Sequence, residues 1–293
     1  MKPAPFDYIR PKTLAEACAI LAGNEDALPI AGGQTLVPML AMRLARPTLL
    51  VDILRLAELH GIERAGDVLV IGAATRQADA EHSRDVALHL PLLAKALPFV
   101  GHQPTRNRGT VGGSIANADP SAEIPLVAVT LGATIIVQTP DGEQAIAAAD
   151  FFQGAMTTAL TPGSCVKEVR FPIAPGRRIG VGFHEISARK SDFAYVSAAA
   201  QIAFDEAGLC AFAALGLGGV GDRPLRVPLD GWVGRRLDGP AALSAVAADV
   251  AAMVADLAVN ADIHASAGYR RRLAAALATR ALADALDQAR GVS

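Results

Sequence analysis

Two segments of the chain pair glycines with hydroxyl side chains. Gly32, Gly33 and Thr35 lie within AGGQTL (31–36), and Thr110, Gly112, Gly113 and Ser114 lie within TVGGSI (110–115). Glycine lets the backbone approach a ligand closely and adopt positive φ, so successive N–H groups converge on an anion. Hydrogen bonds to a charged acceptor contribute about 1.5–3 kcal/mol each, so four or five hold a diphosphate without a lysine. Neither segment contains one. A lone Gly-Gly pair is an ordinary turn. Two such pairs, the second running on into Asn117, Asp119 and Glu123, ask for more, because a carboxylate repels phosphate but accepts well from ribose hydroxyls. A dinucleotide meets both demands.

Other motifs carry less. GLGGVG (216–221) matches a dinucleotide fingerprint, but that fingerprint needs a helix to open at its end. Asp222-Arg223-Pro224 and then Pro228 follow, so a structural turn is expected. His184 and Glu185 adjoin in a strand pattern and point to opposite faces, so they cannot act on one atom. The six histidines have no HxxH or HExxH grouping, and Cys18, Cys165 and Cys210 contain no CxxC. No zinc site or iron–sulfur cluster is therefore self-supplied. Arg270, Arg271 and Arg272 read as the solvated face of a helix.

The elements that position these residues follow from pattern and punctuation. Thr13-Leu14-Ala15-Glu16 has capping-box spacing before a short helix stopped by Gly23. Ala27–Ala31 reads as a buried strand running into the first glycine pair, and 48–53 and 68–71 are strand-like. Helical pattern returns at 77–83 and 89–97, and a helix after the second glycine segment ends near Gly132. ATIIVQT and EQAIAAA flank Pro140-Asp141-Gly142 as a hairpin. Strands are expected at 165–171, 182–188 and 209–217, with a linker at 172–178 and a helix-rich tail over 240–290. In that tail Tyr269, Leu273, Leu277, Leu282 and Leu286 form one apolar stripe, and the Ala-rich stretch 241–259 suits close helix packing.

With 293 residues, 52% of them hydrophobic, the chain is long enough for two domains. Strands and helices alternate first, and strands precede helices later. This predicts an α+β protein with a mixed first domain over residues 1–176 and a smaller second domain over 177–293. A formal net charge of -2 gives no general attraction to nucleic acid or anionic membrane. Apolar stretches break before ~18 residues, so no membrane span is expected. MKPAPFDYIR lacks a signal pattern, and three cysteines that cannot all pair suit a reducing, cytoplasmic location.

AGGQTLVPMLAMRLARPTLLVDI and RNRGTVGGSIANADPSAEIPLVAVTLGA resemble the two FAD-binding loops of molybdenum hydroxylase flavoprotein subunits. These are the medium subunits of carbon monoxide dehydrogenase and its relatives, akin to the FAD domain of xanthine dehydrogenase. The resemblance continues through ARKSDFAYVSAA, GLGGVGDRPLRV and YRRRLAAALATRAL, in order over nearly the whole chain. It implies a two-subdomain FAD-binding fold of the vanillyl-alcohol-oxidase (PCMH) type, followed by a smaller C-terminal domain of the CO dehydrogenase flavoprotein type.

Carried over by position, Ala31, Gly32, Gly33, Gln34, Thr35 and Leu36 would line the diphosphate and adjoining flavin chain. Thr110, Gly112, Gly113 and Ser114 would complete the cradle, with Asn117 nearby and Glu123 on the sugar portion. Leu160 and Lys190 match positions that approach the isoalloxazine ring, with Asp192 and Phe193 following. For Lys190 the flavin role is favoured, with a surface lysine after a strand as the alternative. Many relatives have His or Asn and Ser where this chain has Gln34 and Thr35; the replacements keep hydrogen-bond donors. His102 lies where some members of the wider fold attach flavin covalently, but molybdenum hydroxylases do not, so a dissociable FAD is implied.

The implied activity is electron transfer. A large molybdopterin subunit oxidises substrate, two [2Fe–2S] clusters on a small iron–sulfur subunit relay electrons to FAD, and an external acceptor removes them. A dimer of heterotrimers, that is a heterohexamer, is the implied assembly. Two rivals stand beside this reading. A stand-alone FAD oxidase of the same fold would bleach its own flavin when given substrate, and a scaffold subunit that has lost FAD would purify colourless.

Overall fold

The computed structural model describes residues 2–237, 240–255 and 257–291, the side chains of 240–247 excepted. Thr13 caps the first helix, α1 (Leu14–Ala22), its hydroxyl accepting the Glu16 N–H at 3.1 Å. The Glu16 carboxylate returns to the Lys12 N–H at 2.7 Å, one residue before the partner a capping box ordinarily uses. Helix α1 packs on a three-stranded parallel sheet in the order β1 (Asp7–Ile9), β3 (Leu49–Asp52), β2 (Ala27–Ile30). Contrary to the expectation of a buried strand, β2 leaves Leu28 37% exposed. It is the sheet's edge, and Leu28, Pro29 and Ile30 border a cleft.

A five-stranded antiparallel sheet follows, ordered β4 (Ile62–Ala65), β5 (Val68–Gly72), β10 (Cys165–Pro172), β6 (Thr134–Thr139), β7 (Gly142–Ala147). The β6–β7 hairpin turns at Pro140-Asp141 as expected, with Gly142 at φ 129. Helix α2 (Leu36–Ala41) joins β2 to β3. Between β5 and β6 run α3 (Gln77–Glu81), α4 (Arg84–His89), α5 (Pro91–Ala96), α6 (Gln103–Arg108), α7 (Val111–Asn117) and α8 (Glu123–Leu131). The single helical pattern over 89–97 is divided because Pro91 has no N–H with which to continue α4 and instead opens α5. Helix α8 ends at Gly132 in the left-handed conformation, and all nine of its residues are buried. Short elements α9 (Ala148–Phe151), β8 (Phe152–Gly154) and β9 (Thr157–Thr158) lead back into β10.

The last sheet takes its strands in sequence order: β11 (Arg178–Ile186), β12 (Val196–Phe204), β13 (Cys210–Gly218) and β14 (Leu225–Val227), all antiparallel. Strand β12 escapes a pattern search because VSAAAQIAF is buried at every position. Helices cover both of its faces, so no alternation develops. One face packs on α8; α11 (Ala267–Arg290) covers the other, with α10 (Pro240–Ala255) behind it. The side of α11 on this sheet is mostly alanine, including Ala274, Ala278, Ala281, Ala285 and Ala289, so the helix lies close to β11. Leu277, Leu282 and Leu286 of the expected stripe are buried, but Tyr269 at its start is 37% exposed. Val250 and Val254 of α10 are buried, while positions 241–247 of the Ala-rich stretch lie outside the described side chains. Gly219, at φ 71, turns the chain after β13 and no helix opens there, so GLGGVG is a structural turn.

Arg270 corrects the expectation of a solvated arginine face. It is 6% exposed and donates to the Tyr195 and Gly219 carbonyls at 2.5 and 2.8 Å and to Asp262 at 2.6 Å. Only Arg272 of the three is exposed; Arg271 donates to the Leu257 carbonyl at 3.1 Å. Arg270 thus ties together three loops that sequence alone leaves separate. Arg270→Ala strands two buried carbonyls, and we expect a loss of about 2–4 kcal/mol in urea unfolding. An unchanged unfolding midpoint would show that these bonds carry no stability.

Candidate functional site

A cleft of about 570 Å³ opens between the β2 edge, helices α6 and α7, and the loop before β12. Its first wall is Ala31–Leu36, the turn linking β2 to α2. Gly33 sits at φ 69 and accepts the Val37 N–H at 2.9 Å, while the Gln34 side chain donates to the Gly32 carbonyl at 3.3 Å. The N–H groups of Gly32, Gly33, Gln34 and Thr35 have no protein acceptor among the described residues. Four adjacent donors without a partner at a cleft wall call for an anion or for water.

The second wall departs from expectation. The segment read as a loop is a short helix, α7, with Thr110 as its N-cap accepting the Gly113 N–H at 3.0 Å. Two glycines disfavour a helix, but Val111 and Ile115 are fully buried and the cap offsets part of the cost. Its amides are already used: Val111 donates to Thr75, Gly112 to Ala73 and Ser114 to Thr110, at 2.9–3.1 Å. This wall therefore offers side chains, the Ser114 hydroxyl and the Asn117 amide, rather than a second cluster of free N–H groups.

The two glycine segments meet. A Cβ at Gly32 would lie 2.8 Å from the Cα of Gly109, and closer still to the Arg108 carbonyl oxygen. One at Gly112 would lie 2.6 Å from the Cα of Ala73. Gly113 differs: apart from the Thr110 side chain, 2.7 Å from its would-be Cβ, nothing crowds it, and it is exposed in the cleft. Gly32 allows the two walls to close on each other, Gly112 allows α7 to pack on Ala73 beyond the end of β5, and Gly113 keeps the space between the walls clear.

Of the residues singled out in the sequence, Ala31 to Leu36, Thr110, Gly112, Gly113, Ser114, Asn117, Asp119, Glu123, Leu160, His102, Asp192 and Phe193 all line the cleft. Lys190 does not. It occupies the tip of a turn closed by the Asp192 N–H on the Arg189 carbonyl at 3.1 Å, with Ser191 at φ 70, and its side chain is exposed. That turn sends Ser191, Asp192 and Phe193 into the cleft instead, and Phe193 is 66% exposed there. Gln77 was missed: it lines the cleft, donates to the Thr110 carbonyl at 3.4 Å, and leaves its buried Oε1 without a partner. No local pattern marks it, because Gln77 reaches the site only where Arg76 pairs with Thr110 across the chain.

Carboxyl groups give the cleft its electrostatics. Burial pushes Glu123 up to about 7 and also raises Asp119, whose charge works in the same direction on Glu123. Arg106 opposes this weakly, being engaged with both oxygens of Glu81 at 2.6 and 3.1 Å and with the Val100 and Gly101 carbonyls. Those bonds fix the stretch of cleft wall before α6. Cys165 lines the cleft, and its thiol meets that of Cys18, which donates on to the Gln138 carbonyl at 3.5 Å. Both are free thiols. The hydrogen bond with the Cys18 thiol, and then burial, hold Cys165 above the usual thiol range.

Backbone donors without a protein acceptor among the described residues, glycines that permit close approach and a buried acid suit this cleft to a phosphorylated, sugar-bearing ligand. The model for the FAD binding domain in molybdopterin dehydrogenase matches residues 4–174, and that for the CO dehydrogenase flavoprotein C-terminal domain matches 182–285. The chain belongs to the FAD-binding medium subunits of the molybdopterin dehydrogenases, which are oxidoreductase flavoproteins. It is 36% identical to the carbon monoxide dehydrogenase medium chain of Afipia carboxidovorans, over 99% of this chain and 100% of that one. It is also 36% identical to the 6-hydroxypseudooxynicotine dehydrogenase complex subunit alpha of Paenarthrobacter nicotinovorans, over 99% and 97%. A chain of the cyanide-inactivated Cu,Mo-CO dehydrogenase crystal structure superposes with a TM-score of 0.90 at 35% identity, covering 98% of this chain and 100% of that one.

Proposed function

We propose that this chain is the electron-transfer subunit of a molybdenum-containing hydroxylase complex, binding FAD non-covalently in the cleft. In this reading a small [2Fe–2S] subunit delivers electrons drawn from a large molybdopterin subunit, and an external acceptor takes them away. FAD supplies the ability to exchange electrons singly or in pairs. Everything else is the work of this chain's residues. The Gly32, Gly33, Gln34 and Thr35 amides receive the diphosphate, and Ser114 and Asn117 add side-chain donors from the facing helix. Glu123 accepts from sugar hydroxyls, Leu160 supports the ring, and Phe193 limits solvent access. Lys190 has no part in the site. We also assign the FAD domain to residues 1–176 and the second domain to 177–293, and the assembly to a dimer of heterotrimers in the cytoplasm.

The observation that carries this reading is the row of four amides, without a protein acceptor among the described residues, on a turn whose Gly32 lies against Arg108 and Gly109 just before α7. Relatives named as a medium chain and as a complex subunit support a multi-subunit setting. The purified chain should bind one FAD, and acid precipitation should release all of it into the supernatant. Flavin that stays with the pellet would overturn non-covalent attachment, and failure to bind FAD would overturn the reading. Glu123→Ala should raise the FAD Kd about tenfold through loss of a charged acceptor, measured by quenching of flavin fluorescence. An unchanged Kd would remove Glu123 from the site.

A further inference from the structure

The far end of the last sheet gathers three guanidinium groups around a pocket of about 120 Å³, lined by Arg178, Phe204, Gly208, Arg236, Leu237 and Arg290. They come from separate elements. Arg178 opens β11 and pairs with Phe204 at the end of β12, its guanidinium 5.7 Å from the centre of that ring. Gly180, two residues along β11, packs on Ala285 and Ala289 of α11, which brings Arg290 at the end of α11 alongside. Arg236 arrives with the segment after β14, where the Arg235 carbonyl takes the Cys210 N–H at 2.9 Å. Each guanidinium is held on one side: Arg236 donates to the Ala207 carbonyl at 3.1 Å, Arg290 to the Leu237 carbonyl at 3.0 Å, and Arg178 lies over Phe204. Free edges of Arg178 and Arg236 converge at Gly208, which sits at φ 77 in the β12–β13 turn. A Cβ there would lie 3.3 Å from Nη2 of Arg178 and 3.4 Å from Nη1 of Arg236.

Like charges this close repel, and the nearby acids are engaged elsewhere. Glu206 pairs with Arg177 at 2.9 Å, Asp205 accepts the Leu209 N–H at 2.8 Å, and Asp287 stands 3.9 Å from Arg290. Among the described residues no carboxylate pairs with Arg178 or Arg236. We propose that this pocket binds a phosphate group, free or as a phosphate monoester, between Arg178, Arg236 and Arg290. A guanidinium is suited to phosphate because its planar fork donates two parallel N–H groups to the oxygens. The pocket has room for one tetrahedral oxyanion, and the absent side chain of Gly208 leaves the point where the arginines meet open. This site is distinct from the cleft and does not rest on the FAD reading. The nine residues of β11 carry the chain roughly 26 Å before Ile186 takes the Tyr195 N–H beside the Phe193 loop. Bound there, phosphate ties together the start of β11, the β12–β13 turn and the end of α11.

Calorimetric titration of the full chain in low-salt buffer, with inorganic phosphate and with AMP, tests this. Wild type should bind phosphate with a Kd of about 0.1–1 mM. About 10 mM phosphate should raise the melting temperature about 3–5 °C more than sodium chloride of equal ionic strength. Comparable affinity for AMP assigns the pocket to phosphate monoesters, and binding of inorganic phosphate alone assigns it to the free ion. The cleft has amides of its own that take phosphate, so the arginines decide the location. Arg178→Gln and Arg236→Gln should each weaken phosphate about tenfold and leave the FAD Kd unchanged. Gly208→Asp and Gly208→Asn match in size and tolerate positive φ alike, but only Asp supplies a charge. In phosphate-free buffer the Asp variant should melt about 2–4 °C above the Asn variant, and it should no longer bind phosphate. No phosphate binding by wild type, a Kd unchanged in both arginine variants, or a Gly208→Asp protein that melts no higher than Gly208→Asn overturns the site.

Discussion

Gly32→Val is expected to purify colourless and to melt about 6–12 °C below wild type. The would-be Cβ falls within 2.8 Å of the Gly109 Cα and nearer still to the Arg108 carbonyl. Both obstacles are backbone, so no rotamer relieves the clash. The β2–α2 turn must then move away from the segment leading into α7. Overpacking of this kind costs about 3 kcal/mol at the upper end of its usual range, and a chain of this size loses roughly 2–4 °C per kcal/mol. The loss of flavin follows from the same displacement. The four free amides belong to the turn that is pushed; misaligning two charged hydrogen bonds weakens FAD at least about a hundredfold. The ratio of flavin to protein absorbance and a thermal melt measure the two effects. A yellow protein of wild-type stability would mean that the two walls do not need to touch.

Gly113→Val separates binding from folding. Its Cβ would press on the Thr110 hydroxyl at 2.7 Å and otherwise stand in open cleft. Loss of the Thr110 cap costs about 1 kcal/mol, and replacing glycine inside a helix returns a few tenths. The FAD-free protein should therefore melt within about 3 °C of wild type. The two methyl groups, however, occupy the space between the first loop's amides and Ser114. FAD affinity should fall at least about a hundredfold, because a buried methyl pair excludes the ligand and strands its charged acceptors. Titration of FAD into both proteins measures this. Near-normal affinity would show that the ligand lies elsewhere in the cleft. Taken together, the two variants distinguish a glycine needed for the walls to meet from one needed for the ligand to enter.

Local features were legible wherever the physics is local. The Thr13 cap, the Pro140-Asp141 turn, the stop at Gly132 and the missing helix after GLGGVG each depend on residues within a few positions, and each is found. The composition of the cleft was legible for the same reason: glycine pairs, hydroxyls and an acid announce their chemistry by type. What failed depended on distant partners. TVGGSI reads as a loop on propensity, yet it folds as α7 because Val111 and Ile115 are buried and Thr75 and Ala73 take its first amides. Arg270 reads as solvated, yet three carbonyl and carboxylate oxygens from separate loops enclose it.

By itself, then, the sequence determined which residues have the chemistry to hold a phosphorylated, sugar-bearing cofactor, and where the chain turns. Only the tertiary structure decided how the cleft is built: amides without a protein acceptor among the described residues on the β2–α2 turn, side chains on α7, and Lys190 turned outward. The reason is that propensity and residue type act over a few residues, whereas an amide is free or engaged according to what the rest of the chain brings to within 3 Å of it.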